Sequence, residues 1–168
     1  MKKRVYSLLV VSAIMTLAAC SSVSRSPEYS YKKEAVFLTL RADPQLNLYQ
    51  GSPHTIVACT YQLRDPNAFN QLLDEKDGLP KLLECGRFDA SVAYTKRLVI
   101  QPGQEVKDSL DRAEGAKYVS VVAGYYNLQK GNAARLFPIP VGTMSSKPQN
   151  VTIELYLGPD AIQDLKRR

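Results

Sequence analysis

The feature that most constrains the fold is a series of short segments in which apolar and polar side chains alternate. The clearest examples are residues 34–41 and 150–157. A period of two places successive side chains on opposite faces of a β-strand, so each segment has one apolar face to bury. Pro102-Gly103 and Gly158-Pro159 come directly after such segments and predict turns. The chain is therefore predicted to be mainly β.

The remaining segments repeat this pattern, with one change of period. Four further strands are predicted, over residues 54–63, 92–100, 104–110 and 117–128. Residues 135–141 form an edge strand or no strand, because two prolines there remove backbone donors. Residues 67–83 carry apolar side chains at helical spacing and predict two short helices, and Asp160 would cap a terminal helix running to Arg168. The whole predicts a β-sandwich with a short helical insertion between the second and third strands.

The N-terminus has the layout of a bacterial secretory signal. Residues 2–4 are basic, residues 5–16 carry no charge, and residues 17–20 read Leu-Ala-Ala-Cys. The apolar run is shorter than the roughly 20 residues that a membrane span needs. The Leu-Ala-Ala-Cys ending resembles the lipobox of bacterial lipoproteins, in which the cysteine receives lipid and the chain is cut before it. An ordinary signal cleavage near a cysteine is the alternative.

The lipobox resemblance divides the chain into three parts. We expect residues 1–19 to be a lipoprotein signal peptide, residues 20–33 a lipidated flexible tether, and residues 34–168 the β-sandwich domain. Cys20 would carry acyl chains such as palmitate and hold the domain on a bilayer without spanning it. By the same resemblance, a serine (Ser21) rather than an aspartate after the cysteine implies localisation to the outer membrane.

The charge of the chain does not favour nucleic acid as a partner. The formal net charge of +6 includes three basic residues of the signal peptide, so the mature chain is near +3. The basic tail at residues 166–168 is expected to be a solvated end.

Cys59 and Cys85 remain as an even pair after Cys20 is assigned to lipid. In an oxidising compartment they could form a disulfide, and two free buried thiols are the alternative. A zinc site is not expected, since the chain has one histidine, His54, and no C-x-x-C spacing.

The segment after the first strand carries apolar residues where a loop is predicted. Asp43-Pro44 and Gly51-Ser52-Pro53 bound it, and Leu46, Leu48 and Tyr49 lie between them. Loops face water, so these side chains either fold back and plug the end of the core or dock on a partner.

No catalytic motif stands out in the sequence. As a general base His54 would need a nucleophile or carboxylate partner within reach, and no pattern in the sequence proposes one. No nucleophile elbow, zinc-protease motif or phosphate-binding loop occurs. The adjacent Tyr125 and Tyr126 are expected to point one inward and one outward, and tyrosine is favoured at interfaces. The chain is not expected to be an enzyme or to need a cofactor.

Several short motifs, in order, resemble one known family. Residues 36–40 read Val-Phe-Leu-Thr-Leu, residues 51–53 read Gly-Ser-Pro, residues 100–103 read Ile-Gln-Pro-Gly, and residues 116–123 read Ala-Lys-Tyr-Val-Ser-Val-Val-Ala. With the lipobox, this resembles the TssJ/VasD family, the outer-membrane lipoproteins of type VI secretion systems. The family often has Asn-Pro where this chain has Asn47-Leu48, so the family pattern does not determine the shape of the 43–53 loop.

The resemblance implies a transthyretin-like β-sandwich, lipid-anchored to the outer membrane and facing the periplasm. It also implies a partner, the periplasmic C-terminal region of the inner-membrane protein TssM. The loop between the first two strands would make the contact, through Leu46, Asn47, Leu48 and Tyr49. A pilotin-like lipoprotein of another envelope machine and a periplasmic small-ligand carrier are the alternative functions.

Overall fold

The computed structural model describes residues 27–143 and 147–164. Eight strands and three short helices lie within these ranges. The strands are β1 (Lys32–Ala42), β2 (Ile56–Leu63), β3 (Val92–Ile100), β4 (Glu105–Arg112), β5 (Tyr118–Ala123), β6 (Ala134–Pro138), β7 (Val151–Leu157) and β8 (Ile162–Asp164). The helices are α1 (Asn67–Asp74), α2 (Gly78–Leu82) and α3 (Lys130–Ala133).

The strands form two four-stranded sheets, ordered β4-β1-β7-β8 and β3-β2-β5-β6. In the first sheet, β1 pairs antiparallel with β4 and parallel with β7. In the second, β2 lies between β3 and β5 and is antiparallel to both. The two-sheet architecture, the helices between β2 and β3, and the edge position of β6 confirm the predictions from the sequence.

The alternating side chains of the first sheet form one side of the core. Val36, Leu38 and Leu40 of β1 are at most 1% exposed, and Leu38 is in register with Ile153 of β7. Burying one such side chain contributes about 1.5–3 kcal/mol. The alternation of apolar and polar residues in 34–41 therefore predicts the buried face of β1 correctly.

Both faces of β2 are buried, because the helices cover the face that points away from the first sheet. Tyr61 packs there against Phe69 and Phe88, with ring centroids 6.2 and 5.5 Å away. Its hydroxyl donates a hydrogen bond to the carbonyl of Leu82, and burial raises the pKa of Tyr61 to about 12. This face of β2 is thus a second small core under the helical insertion.

The turn between α1 and α2 requires a glycine at one position. A Cβ atom on Gly78 would lie 1.5 Å from the carbonyl oxygen of Leu72. Only a residue without a side chain allows the two backbones this approach. Gly78 therefore lets α2 fold back on α1 and brings the chain towards Cys85.

The prediction of a terminal helix from Asp160 is wrong within the described residues. Gly158 donates a backbone hydrogen bond to Ala161 (2.9 Å), and the chain then returns as β8, antiparallel to β7. Ile162 is 1% exposed, so this pairing buries an apolar side chain and also covers a sheet edge. Residues 165–168 lie outside the described part of the chain.

The predicted strand 117–128 is shorter in the structure. It ends at Ala123, after which Gly124 donates a backbone hydrogen bond to Val57 (2.9 Å). The residues after Gly124 therefore form a loop.

The last part of the predicted tether is bound to the sandwich. Gly115 donates a hydrogen bond to the carbonyl of Tyr29 (2.6 Å), and Arg112 donates one from Nε to the carbonyl of Ser30 (3.0 Å). β1 then begins at Lys32. Residues 1–26, which include the predicted signal peptide and the predicted lipid site Cys20, lie outside the described residues. Among the helices of residues 27–143 and 147–164, none has the length and hydropathy of a membrane span.

Candidate functional site

Three loops meet at one end of the sandwich, which we call the tip. They are residues 43–55 between β1 and β2, residues 124–129 between β5 and α3, and residues 158–161 between β7 and β8. Asn47 connects all three: its Oδ1 accepts the backbone N–H of Tyr126 (2.8 Å), and its own N–H donates to Gly158 (3.5 Å). The tip is therefore one assembled surface.

Asn47 has the conformation and burial of a structural residue. It is 4% exposed and has a φ of 49°, in the left-handed region that asparagine tolerates better than most residues. The neighbouring N–H of Leu48 donates to Pro159 (2.8 Å). Asn47, which the sequence assigned to the partner-binding loop, thus lies beneath that surface and positions its neighbours.

The two roles that the sequence left open for the loop are divided between its residues. Leu46 is fully buried, and its carbonyl accepts the N–H of His54 (2.9 Å). Leu48 and Tyr49 are 39% and 45% exposed. Leu46 therefore plugs the end of the core, while Leu48 and Tyr49 remain available for contact.

A tight turn holds Tyr49 in place. Tyr49 and Ser52 exchange two backbone hydrogen bonds, 2.9 and 3.0 Å long. The two residues between them, Gln50 and Gly51, have φ values of 50° and 77°, as in the turns that close two-residue hairpins.

Three aromatic rings form a cluster on the tip. Tyr49 stacks on Tyr126, with centroids 4.3 Å apart and planes 16° apart, and His54 meets Tyr126 edge-on at 5.1 Å. Tyr126 is 57% exposed, whereas Tyr125 is 4% exposed, in agreement with the expected inward and outward directions. We call Tyr49, His54 and Tyr126 the aromatic cluster.

The sequence did not place His54 and Tyr126 in the same site as the loop. They are 72 positions apart, and their contact depends on the pairing of β2 with β5. The available signal was the Tyr125-Tyr126 pair at the end of a predicted strand.

Two open grooves flank Tyr126. The first, about 740 Å³ in volume, lies between the tip and the helical insertion, and its walls include His54, Leu83, Gly124 and Tyr126. We call it the insertion-side groove. The second, about 460 Å³, lies beside Leu48, Tyr49 and Asp160. The aromatic cluster thus forms a ridge between two depressions.

The base of the tip is fixed by a carboxylate. Asp43 accepts hydrogen bonds from the Tyr156 hydroxyl and from the N–H of Gln45 (2.6 Å). These bonds, the one from Tyr156 first, hold the pKa of Asp43 below its usual range. Asp43 therefore stays ionised and keeps the start of the loop in place.

Two buried polar atoms at the tip have no hydrogen-bond partner among the described residues. They are Nδ1 of His54 and the hydroxyl of Tyr125. Burial, with a smaller effect of Asp160, raises the pKa of Tyr125 far above its usual range, so its hydroxyl stays protonated.

Cys59 and Cys85 are joined by a disulfide, with Cα atoms 5.2 Å apart. The bond links β2 to the chain after α2. In the part of the chain that the structure describes, no group of three or more His, Cys, Asp and Glu residues could hold a metal ion.

This arrangement is suited to binding. An exposed aromatic cluster on a rigid base, between open grooves, has the composition of the centre of a protein–protein interface. Fold and tip together define a two-sheet β-sandwich protein with an exposed aromatic cluster at one loop end.

Comparison with protein families identifies the chain more closely. Residues 34–157 match the family described as type VI secretion lipoprotein, VasD, EvfM, TssJ. The chain belongs to this family of type VI secretion lipoproteins. No curated protein matches the chain in sequence.

Solved structures share the fold. The T6SS lipoprotein TssJ1 from Pseudomonas aeruginosa is 19% identical, with a TM-score of 0.61 over 84% of this chain and 98% of that one. Serratia marcescens Lip, described as a membrane-bound component of the type VI secretion system, is 21% identical, with a TM-score of 0.61 over 83% and 99%. A chain of the structure described as the T6SS protein TssM C-terminal domain (869-1107) from EAEC is 19% identical, with a TM-score of 0.61 over 79% and 98%.

Proposed function

We propose that the protein is a structural component of a type VI secretion membrane complex. It is anchored to the outer membrane by lipid on Cys20 and binds the periplasmic C-terminal region of the inner-membrane protein TssM through its tip. Membership of the lipoprotein family supports the anchor and the secretion system. A structural match whose description carries the name of the TssM C-terminal domain supports the choice of partner.

The observation that carries the proposal is the aromatic cluster. Tyr49 and Tyr126 are about half exposed, yet each is held by a stacked ring and by a fixed backbone. Rigid exposed tyrosines lose little side-chain entropy on binding and are frequent energetic centres of interfaces. This combination favours a protein surface as the ligand.

The position of the tip supports contact with a protein from the opposite membrane. The N-terminal segment is bound near Arg112 and Gly115, where β1 begins, and the tip lies beyond the other end of β1. Eleven residues of extended chain separate the two ends, roughly 35 Å at about 3.3 Å per residue. A lipid at the N-terminus therefore leaves the tip directed away from the bilayer that holds it.

A binding experiment tests the proposal. The mature lipidated protein, purified in detergent, is mixed with the periplasmic C-terminal fragment of the TssM protein from the same bacterium. We expect the wild type to retain the fragment and the double variant Tyr49→Ala with Tyr126→Ala to lose it, with an unchanged circular dichroism spectrum. Failure of the wild type to bind would refute the proposed partner.

The anchor is tested separately by fractionation of cells. Cys20→Ser should release the protein from the outer membrane, since no acyl chain can then be attached. A variant that stays in the outer-membrane fraction would contradict the proposed lipid site.

A further inference from the structure

Leu83 links the helical insertion to the tip. It directly follows α2, is half-buried, and lines the insertion-side groove together with His54 and Tyr126. Its two methyl carbons lie 3.4 and 3.5 Å from the position that a Cβ atom of Gly124 would take. Leu83 thus packs against the backbone of the loop that carries Tyr126.

The chain around Leu83 is fastened to the second sheet at three points. Tyr61 of β2 donates its hydroxyl proton to the carbonyl of Leu82. Thr95 of β3 donates from Oγ1 to the carbonyl of Cys85 (2.9 Å), and Cys85 is covalently joined to Cys59. The disulfide therefore lies two residues from the wall of the groove.

Cys85 also has a backbone conformation that needs support. Its φ of 56° lies in the left-handed region, which a residue with a Cβ atom adopts at a cost. The covalent bond to Cys59 ties this part of the chain, two residues after Leu83, to β2.

We propose that the insertion-side groove is a second contact area for the same partner, and that the helical insertion takes part in binding through Leu83, which the Cys59–Cys85 disulfide holds in the groove wall. The occupant is an uncharged, apolar segment of that partner. This inference rests on the proposed function, because it assigns further contacts to the protein that covers the aromatic cluster.

The chemistry of the groove selects this occupant. None of the described residues that line it is Asp, Glu, Lys or Arg, and Leu83 and Val57 supply aliphatic surface beside the rings of His54 and Tyr126. A charged segment would lose its hydration there without gaining a counter-ion. An apolar segment would bury its surface against Leu83 and Val57 without that cost.

The groove is continuous with the aromatic cluster, since His54 and Tyr126 belong to both. A protein that covers Tyr126 would therefore also reach Leu83. A groove wall that is already held in place loses less conformational entropy when the partner binds. Fixing the wall therefore raises the affinity for the partner.

The test measures the dissociation constant of the detergent-purified lipoprotein for the periplasmic TssM fragment. Leu83→Asp introduces a charge into the groove and should weaken binding at least about tenfold. Leu73→Asp is the matched control, because Leu73 is a half-buried leucine of the same insertion that does not line either groove beside Tyr126. It should change the dissociation constant less than about twofold.

Two further variants keep the test decisive if Leu83→Asp fails to fold. Leu83→Ala removes the aliphatic surface of the groove wall, and the double variant Cys59→Ala with Cys85→Ala removes the disulfide that holds the wall. Each variant should bind several-fold more weakly. Circular dichroism identifies the samples that are folded. Wild-type affinity in the folded Leu83 variants, alongside lost binding in Tyr126→Ala, would overturn the groove proposal and leave the proposed function standing. Lack of binding by the wild type would overturn both.

Discussion

Leu46 and Leu48 are two positions apart in one loop, and the structure predicts different effects for their truncation. Leu46 is fully buried at the end of the core, whereas Leu48 is 39% exposed on the tip. Leu46→Ala should therefore lower stability without removing a contact surface, whereas Leu48→Ala should lower stability less and also remove contact surface.

The magnitudes follow from burial. Leu46→Ala removes three buried carbons, worth about 0.8 kcal/mol each, and leaves a cavity that raises the loss to about 3 kcal/mol. In Leu48→Ala the lost transfer energy is scaled by the buried fraction of the side chain, which gives about 1.5 kcal/mol, and no closed cavity forms. For a domain of this size, 1 kcal/mol corresponds to roughly 2–4 °C in melting temperature. We expect a decrease of about 10 °C for Leu46→Ala and about 5 °C for Leu48→Ala.

The assay combines thermal unfolding, followed by circular dichroism, with binding of the TssM fragment at 20 °C, where both variants are folded. Leu46→Ala should bind like the wild type, and Leu48→Ala should bind more weakly. Equal melting temperatures for the two variants, or a binding defect confined to Leu46→Ala, would refute the division of this loop into a buried and an exposed part.

Three further outcomes are expected. Replacing both cysteines by alanine frees a loop with a sequence separation of 26, and urea unfolding should show a loss of about 3.5 kcal/mol; an unchanged midpoint would show that the bond does not stabilise the fold. Because hydrogen bonds lower the pKa of folded Asp43 below the unfolded value of 3.8, its carboxylate stabilises the fold above that pH, and the contribution is lost as the pH falls through the folded pKa. Asp43→Asn should therefore flatten the decrease in stability as the pH falls below about 4, and an identical pH profile would contradict this role. Tyr125→Phe removes a buried hydroxyl without a described partner, so urea unfolding should show equal stability or a gain of up to about 1 kcal/mol; a loss of that size would reveal a hydrogen bond to this group.

Much of the architecture could be predicted from local pattern. The apolar face of β1, the two helices after β2 and the turn at Gly158 each depend on a few neighbouring residues, whose periodicity and turn chemistry the sequence displays. The parallel pairing of β1 with β7 is different, because it joins segments more than 100 residues apart. No local feature of either strand encodes its neighbour.

The incorrect prediction of a terminal helix has the same cause. A capping residue after a turn favours a helix locally, but the open edge of β7 and the burial of Ile162 favour a strand. Tertiary contacts, which the sequence does not display, outweigh the local preference.

The candidate site was only partly predictable for the same reason. Unusual apolar residues in a loop pointed to Leu48 and Tyr49, but the stacking partner Tyr126 follows β5, a strand far along the chain that pairs with β2. The sequence also could not show that Leu46 turns inward, since its N–H bond to Asp43 (2.9 Å) and its burial depend on how the loop closes.

The measurement that tests the central claim most directly is photo-crosslinking in living cells from position 126. A photoreactive phenylalanine analogue replaces Tyr126, and in a matched control it replaces Tyr31, which is equally exposed at 57% but lies at the opposite end of β1. We predict an adduct with the periplasmic region of TssM from position 126 and none from position 31. An adduct from position 31 alone, or none from position 126 in cells with an assembled secretion system, would contradict the account.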